Sequence, residues 1–266
     1  MQKKVLYLRT DLAKRWQGQD VFSVVQQLQG DIFRHKEGRR TLRVVLGEKS
    51  FFLKWHQGVG WLEIIKNFLQ LRAPIISAKN EWRAIRFLEN HQIDTMTIAA
   101  YGERGLNPAK RWSFLITDEL TDTMCLEYVG QQWRQTPPSF KTKVTLIRKL
   151  ALIAKGMHEN GMNHRDFYLC HFLLDKTFAE NNTIEEDTRL FLIDLHRAQI
   201  RSKTPSRWII KDLGSLYFSA VDVLLTKRDL FRFMMMYSGD NLRDIVGKKH
   251  KFWTKVNERA DKLLAE

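Results

Sequence analysis

The chain is poor in residues that build covalent frameworks. Two cysteines, Cys125 and Cys170, in 266 residues exclude a disulfide scaffold and a cysteine-ligated metal cluster. Both stand in apolar surroundings and are expected to be small core residues in a reducing compartment. Long apolar runs are missing too, none approaching the ~20 residues needed to span a bilayer. The stretch from Met1 to Arg9 lacks the apolar centre of a secretion signal. These absences lead to the expectation of a cytoplasmic chain, free to touch a membrane surface. Acid is scarce relative to base, with 30 Asp and Glu against 44 Lys and Arg and a net charge of +14. That excess predicts attraction to polyanions: anionic lipid, an acidic protein or nucleic acid. The basic residues are spread among acids rather than interleaved with exposed aromatics, and no nucleic-acid motif is present, so no nucleic-acid partner is expected.

What is present is enough apolar residue, 44%, for a core without cross-links. Asp11 to Gln29 reads as one amphipathic helix, with Leu12, Trp16, Val21, Val24, Val25 and Leu28 roughly on one face. Three strand-like runs follow, Asp31–His35, Leu42–Leu46 and Phe51–Trp55, separated by polar turns, which predicts an antiparallel meander. In the third run Lys54 projects from a mostly apolar strand, so it has a partner or ligand, or else guards a sheet edge. From Gly58 to Ala73 an apolar stripe, Trp61 to Leu71, recurs at near-helical spacing and either packs on the core or lies on a membrane. Ser77 opens a helix over 78–89 that carries Glu81. A strand pair, Thr95–Tyr101 and Trp112–Thr117, runs into the polar stretch Asp118-Glu119-Leu120-Thr121. The division is therefore a sheet-rich lobe over 1–117, a hinge at 118–122 and a mainly helical lobe over 123–266. In the latter, Lys141 to Asn160 is the clearest helix and Gly161 its stop. Leu190–Ile193 reads as a buried strand delivering Asp194, and three basic helical stretches occupy 209–223, 227–237 and 249–264.

Asn163-His164-Arg165-Asp166-Phe167-Tyr168-Leu169-Cys170-His171 has the order of a protein-kinase catalytic loop. The chemistry explains the need. A phosphoryl group leaves ATP with little covalent help, so catalysis rests on positioning and charge neutralisation. Asp166 is the candidate to receive the proton of the attacking hydroxyl. Lys54 would neutralise ATP phosphates, Glu81 would hold Lys54, and Asp118, Glu119 and Leu120 would form the nucleotide-binding hinge. Asp194 would hold Mg²⁺, a hard cation suited to oxygen ligands, with His171 at the second metal position. All stand in kinase order, each on the expected kind of element. The fold class expected is α+β: a bilobal protein-kinase-like fold with an antiparallel-sheet N-lobe carrying one main helix and a mainly helical C-lobe.

On the segments Asn163–Tyr168, Leu192-Ile193-Asp194-Leu195-His196-Arg197 and Phe52-Leu53-Lys54, with its length and basicity, most of the chain resembles the bacterial lipopolysaccharide-core sugar kinases, the Kdo/heptose kinase family. The resemblance implies ATP-dependent phosphorylation of a heptose hydroxyl, O-4 of heptose I, on the lipid-A-linked inner core. It also implies work at the cytoplasmic face of the inner membrane, against an anionic surface, and acyl carrier protein as a partner. Departures from ordinary protein kinases are plain. There is no Gly-x-Gly-x-x-Gly loop, only Gly38 beside Arg39 and Arg40. His171 replaces Asn, a softer Mg²⁺ ligand. Asp-Leu-His replaces Asp-Phe-Gly, and Tyr168 stands where a phosphate-steadying Lys is usual. Asp212 is expected to brace the catalytic loop. Two rivals remain. An aminoglycoside-type kinase would need an acidic pocket that +14 argues against, and an inactive kinase-like scaffold is countered by Lys54, Asp166 and Asp194.

Overall fold

The computed structural model describes residues 4–36, 38–58, 60–69, 77–223 and 225–266. It divides into two compact units, Met1–Arg86 with Met96–Leu120, and Phe87–Thr95 with Thr121–Glu266. The first unit runs β1 (Lys4–Leu8), α1 (Thr10–Arg15), α2 (Val21–Gln27), β2 (Asp31–Lys36), β3 (Arg39–Leu46), β4 (Lys49–Gln57), α3 (Gly60–Leu69), α4 (Lys79–Asn90, whose last turn groups with the second unit), β5 (Ile98–Arg104) and β6 (Trp112–Asp118). Its six strands form one antiparallel sheet in the order β1-β5-β6-β4-β3-β2. Strand alternation does the sorting: Phe51, Leu53 and Trp55 of β4 are buried, while Phe52 and Lys54 are only half-buried. Phe22 of α2 meets Phe114 of β6 edge-on at 5.2 Å, which seats the N-terminal helices on the sheet.

The single helix expected over Asp11–Gln29 is two. Gly18 takes φ +76°, a left-handed conformation that ends the first. Asp20 starts the second by accepting the Ser23 N–H and hydroxyl, at 3.3 and 2.8 Å. The apolar content is still sorted as expected, since Leu12, Trp16, Val21 and Val25 are all buried. Strand β1 was not foreseen; its residues are mostly exposed, and only edge pairing with β5 defines it. The stripe expected over 58–73 is helical from Gly60 to Leu69, and Trp61, Leu62 and Ile65 are exposed at 55, 87 and 51%. Those three side chains are not core. Glu37 of the first meander turn, and Val59 and 70–73 of the stripe, lie outside the described residues.

The second unit contains β7 (Thr123–Cys125), α5 (Leu126–Trp133), α6 (Phe140–Glu159), β8 (Met162–Asn163), β9 (Phe172–Asp175), α7 (Lys176–Glu180), β10 (Leu190–Leu192), β11 (Gln199–Ile200), α8 (Ser206–Ser219), α9 (Lys227–Ser238), α10 (Leu242–Val246) and α11 (His250–Leu264). Ser139 caps α6 through the Thr142 N–H at 3.1 Å. The helix buries Leu146, Ile147, Leu150, Ala151, Ala154 and Met157 at helical spacing. The short helices α7 and α10 are too brief to show a period and were not foreseen. Cys125 and Cys170 are half-buried free thiols rather than core residues. Among the helices lies an apolar cavity of about 140 Å³ whose lining includes Val129, Leu146, Leu150, Leu216, Phe233 and Trp253. Among the described residues, no helix is long and apolar enough to cross a membrane.

Candidate active site

The loop that follows α6 is built on a buried acid. Gly161, at φ +92°, stops the helix, and β8 pairs with β11 to fix the chain as it enters the loop. Asp212 of α8 is fully buried. It accepts the backbone N–H of His164 at 2.6 Å and of Arg165 at 2.8 Å, and lies 3.3 Å from His158 Nε2. The Tyr237 hydroxyl is 3.0 Å from His158 Nδ1. Burial pushes the Tyr237 phenol up, so it keeps its proton to donate. Burial likewise pushes the His164 imidazole down, and its bonds fit the neutral ring: Nε2–H donates to the Ile193 carbonyl at 3.0 Å, and Nδ1 accepts the Asp166 N–H at 3.3 Å. His164 therefore ties the loop to the end of β10. Arg165 takes φ +78°, uncommon for a bulky residue and strained by roughly 1–3 kcal/mol, and the Asp212 bond to its N–H helps hold it there.

Above this floor the sequence-identified acids come together with residues that were not foreseen. Arg197 Nη1 donates to Asp166 Oδ1 at 2.6 Å, and among the described residues no protein group bonds Oδ2. His171 Nδ1–H donates to the Asp166 carbonyl at 2.6 Å, and its Nε2 lies 3.6 Å from Asp194 Oδ2. Asp194, at φ +59°, receives His196 Nδ1–H on Oδ1 at 2.6 Å. Asp166, His171 and Asp194 thus form one connected group. Arg197 and His196 carried no role in the sequence reading, although both lie inside the Leu192–Arg197 motif. The signal available was a cation close behind the strand-end acid, in a chain whose Tyr168 leaves a basic position unfilled. Among the described residues no cluster of three or more His, Cys, Asp or Glu is arranged to hold a metal by itself. The donor set nevertheless fits Mg²⁺, which commonly takes one or two carboxylates and fills its octahedron with phosphate oxygens and water. Asp194 would be such a carboxylate, and His171 would be the poorer, softer donor.

The remaining candidates lie in the first unit. Lys54 Nζ meets Glu81 Oε1 at 2.6 Å, with the Glu81 side chain only 3% exposed. Register places Lys54 between Thr41 and Leu115, so the cation stands mid-sheet and not at an edge. Asp118 and Glu119 have their carboxylates engaged within the unit. Arg9 bonds Asp118 twice, at 2.6 and 2.9 Å, and Arg43 bonds both oxygens of Glu119, at 2.9 and 2.8 Å. The Arg43 guanidinium holds the Glu119 carboxyl below the usual carboxylate range. Their backbone N–H groups are also taken, by the Thr97 and Ser50 carbonyls. Leu120 ends the unit.

A family model for the lipopolysaccharide kinase (Kdo/WaaP) family matches residues 23–237. The chain is 45% identical over 256 residues to the lipopolysaccharide core heptose(I) kinase WaaP of Escherichia coli K12, covering 96% of each chain. It is 44% identical over 258 residues to the WaaP of Pseudomonas aeruginosa, covering 97% of this chain and 95% of that one. Among solved structures, WaaP in complex with acyl carrier protein superposes with a TM-score of 0.82 at 41% identity, covering 97% of this chain and 99% of that one.

Proposed function

The chain belongs to the lipopolysaccharide kinase (Kdo/WaaP) family, and on that premise we propose that it transfers the γ-phosphoryl group of ATP to O-4 of heptose I in the lipopolysaccharide inner core. As a kinase of this family it uses ATP. The relatives' names support the heptose kinase over the aminoglycoside-type kinase and the inactive scaffold. The observation that carries the reading is the loop at Asp166, braced from below by Asp212 and joined to Asp194 through His171.

The roles follow from charge. Asp166 accepts the proton of the attacking hydroxyl on Oδ2, while Arg197 fixes the carboxylate through Oδ1. Lys54, held by Glu81, neutralises charge on the ATP phosphates. Asp194 is the Mg²⁺ ligand and His171 its neighbour at the second metal position. Mg²⁺, when bound, offsets the negative charge of the phosphate oxygens. Asp118, Glu119 and Leu120 belong to the adenine-binding hinge, and with both carboxylates and both of those N–H groups engaged, Asp118 and Glu119 would act there through backbone carbonyls.

Two partners accompany this reading. One is a carrier of acyl groups, supported by the solved complex of a relative with acyl carrier protein, by the net charge of +14 toward an acidic partner, and by the apolar cavity of the second unit. The other is the anionic cytoplasmic face of the inner membrane, on which the exposed Trp61, Leu62 and Ile65 of α3 would rest. A Trp61→Ser/Leu62→Ser/Ile65→Ser variant is expected to lose most of its partitioning into vesicles containing anionic lipid; undiminished partitioning would remove α3 as the contact. The transfer itself is tested with labelled ATP, Mg²⁺ and dephosphorylated inner-core lipopolysaccharide, with Asp166→Ala as background. Label on the heptose above that background is expected. Label that persists in Asp166→Ala would dismiss Asp166 as the base, and no label from the unaltered chain would dismiss the reading.

A further inference from the structure

A second charged feature adjoins the loop and has no part in the roles above. Trp208, in the first turn of α8, is ringed by four cations. The Arg165, Arg207 and Arg201 guanidinium carbons lie 5.1, 5.6 and 6.0 Å from its ring centroid, and Lys211 Nζ lies at 4.8 Å. Arg207 and Lys211 are one helical turn apart, whereas Arg165 comes from the loop and Arg201 follows β11. Among the described residues none of the four forms an ion pair with a carboxylate. Arg201 bonds only neutral groups, the Asn163 and Gln199 side-chain oxygens, and the nearby Asp166 and Asp212 carboxylates are engaged by Arg197 and by the loop backbone.

Such a gathering of like charge is unfavourable by itself, and burial and the nearness of Arg197 and Arg201 push the Arg165 guanidinium down. The same neighbourhood holds three buried donors with no hydrogen-bond partner within the protein: Arg165 Nε, Trp208 Nε1 and Asn163 Nδ2. Buried donors are nearly always satisfied, so unpaired ones beside four cations that form no ion pair among the described residues point to an acceptor that arrives from outside. An anion answers both needs. Guanidinium groups match the oxygens of a carboxylate or phosphate in geometry as well as charge. Arg165 directly precedes Asp166 in the chain and its cation lies near the Asp166 carboxylate, so an anion held here is a neighbour of the proposed base.

We propose that Arg165, Arg201, Arg207 and Lys211, gathered on the Trp208 indole, form a subsite that grips a carboxylate or phosphate carried by the sugar acceptor and presents the adjoining hydroxyl to Asp166. This deepens, and rests on, the reading of the chain as a kinase of an anionic glycan. It assigns acceptor selectivity to four cations, so a neutral sugar of the same shape is a poor substrate.

The test uses the full chain and a soluble probe, deacylated inner-core oligosaccharide that keeps its carboxylates and its other phosphates and lacks only the phosphate on heptose I, so that membrane binding plays no part. Calorimetric affinity and steady-state kinetics are compared for the unaltered chain, for Arg207→Gln/Lys211→Gln, and for Lys14→Gln/Lys110→Gln, a control that removes the same charge from exposed positions of the first unit. The subsite variant is expected to bind the oligosaccharide at least tenfold more weakly and to raise the acceptor KM to match, with the KM for ATP and the melting temperature unchanged. Its affinity should also fall less steeply with salt. The control should behave as the unaltered chain. Acceptor affinity untouched in the subsite variant, or lost equally in the control, overturns the subsite, as does intact oligosaccharide affinity with lost binding to anionic vesicles, which would assign the cations to lipid headgroups. If the unaltered chain transfers phosphate and the subsite variant keeps its acceptor KM, only the subsite fails. If it binds the oligosaccharide through these residues but never phosphorylates it, only the kinase reading fails.

Discussion

Two groups of acids in the second unit are treated in opposite ways. Behind the loop, Asp212 is fully buried and its oxygens are taken by two backbone N–H groups and by His158; in the first turn of α9, Asp229 is 1% exposed at its side chain and bonded by Thr226, Lys143 and Arg232. At the rim, Asp166 is held by one oxygen and Asp194 is flanked by two imidazoles. A saturated acid can only hold the chain in place. An acid held by one oxygen, as Asp166 is, can take a proton on the other. Burial and bonding therefore separate Asp212 and Asp229, which hold the fold, from the acids proposed to meet reactants, and Asp212 bonds the loop at the strained Arg165, next to Asp166.

The largest effect should come from the rim. Asp166→Asn keeps the shape and the contact with Arg197 but removes the base, so kcat should fall by roughly 10²- to 10⁴-fold with the melting temperature within about 2 °C of the unaltered chain. An unchanged kcat, or a large loss of stability, would erase the distinction. Asp212→Ala should show the reverse pattern. Two backbone donors and His158 lose their acceptor in a dry site, at about 3–5 kcal/mol, so the melting temperature should fall by roughly 10 °C. A stable Asp212→Ala protein with full activity would mean that the loop is held by something else.

Much of this was legible in the sequence where one local pattern sufficed. Alternation in β4 singled out Lys54, the run of apolar residues ending at Asp194 marked a strand tip, and His164-Arg165-Asp166 was readable as a string. The joint order of these parts, on the right elements, then carried the fold class. What stayed hidden depends on contacts between distant segments. Arg197 reaches Asp166 across 31 positions because the left-handed Asp194 turns the chain back, and no periodicity encodes that turn. The cation ring was half visible, since Arg207, Trp208 and Lys211 share a helix face by spacing. Arg165 and Arg201 join it only through the tertiary fold. The break in the first helix was readable at Gly18 and Asp20, but the apolar stripe runs through both and favoured continuity.

The smallest effect, and the sharpest on the buried side, concerns pH. Burial alone would raise the Asp229 carboxyl, but the Thr226 N–H and hydroxyl and Lys143 outweigh it and hold the group at about 2. Its folded value thus lies below the usual 3.8. The stabilisation is complete above pH ~4, amounts to about 2 kcal/mol, and is lost as pH falls from ~4 through ~2. Asp229→Asn removes the charge while keeping most of the shape, and should melt roughly 4–8 °C lower than the unaltered chain at pH 7. In melting curves taken from pH 7 down to pH 3, that gap should stay constant to about pH 4.5 and then narrow. A gap independent of pH would mean that Asp229 acts by shape and capping alone, and that its saturation by donors, unlike that of Asp212, contributes no charge-dependent stability.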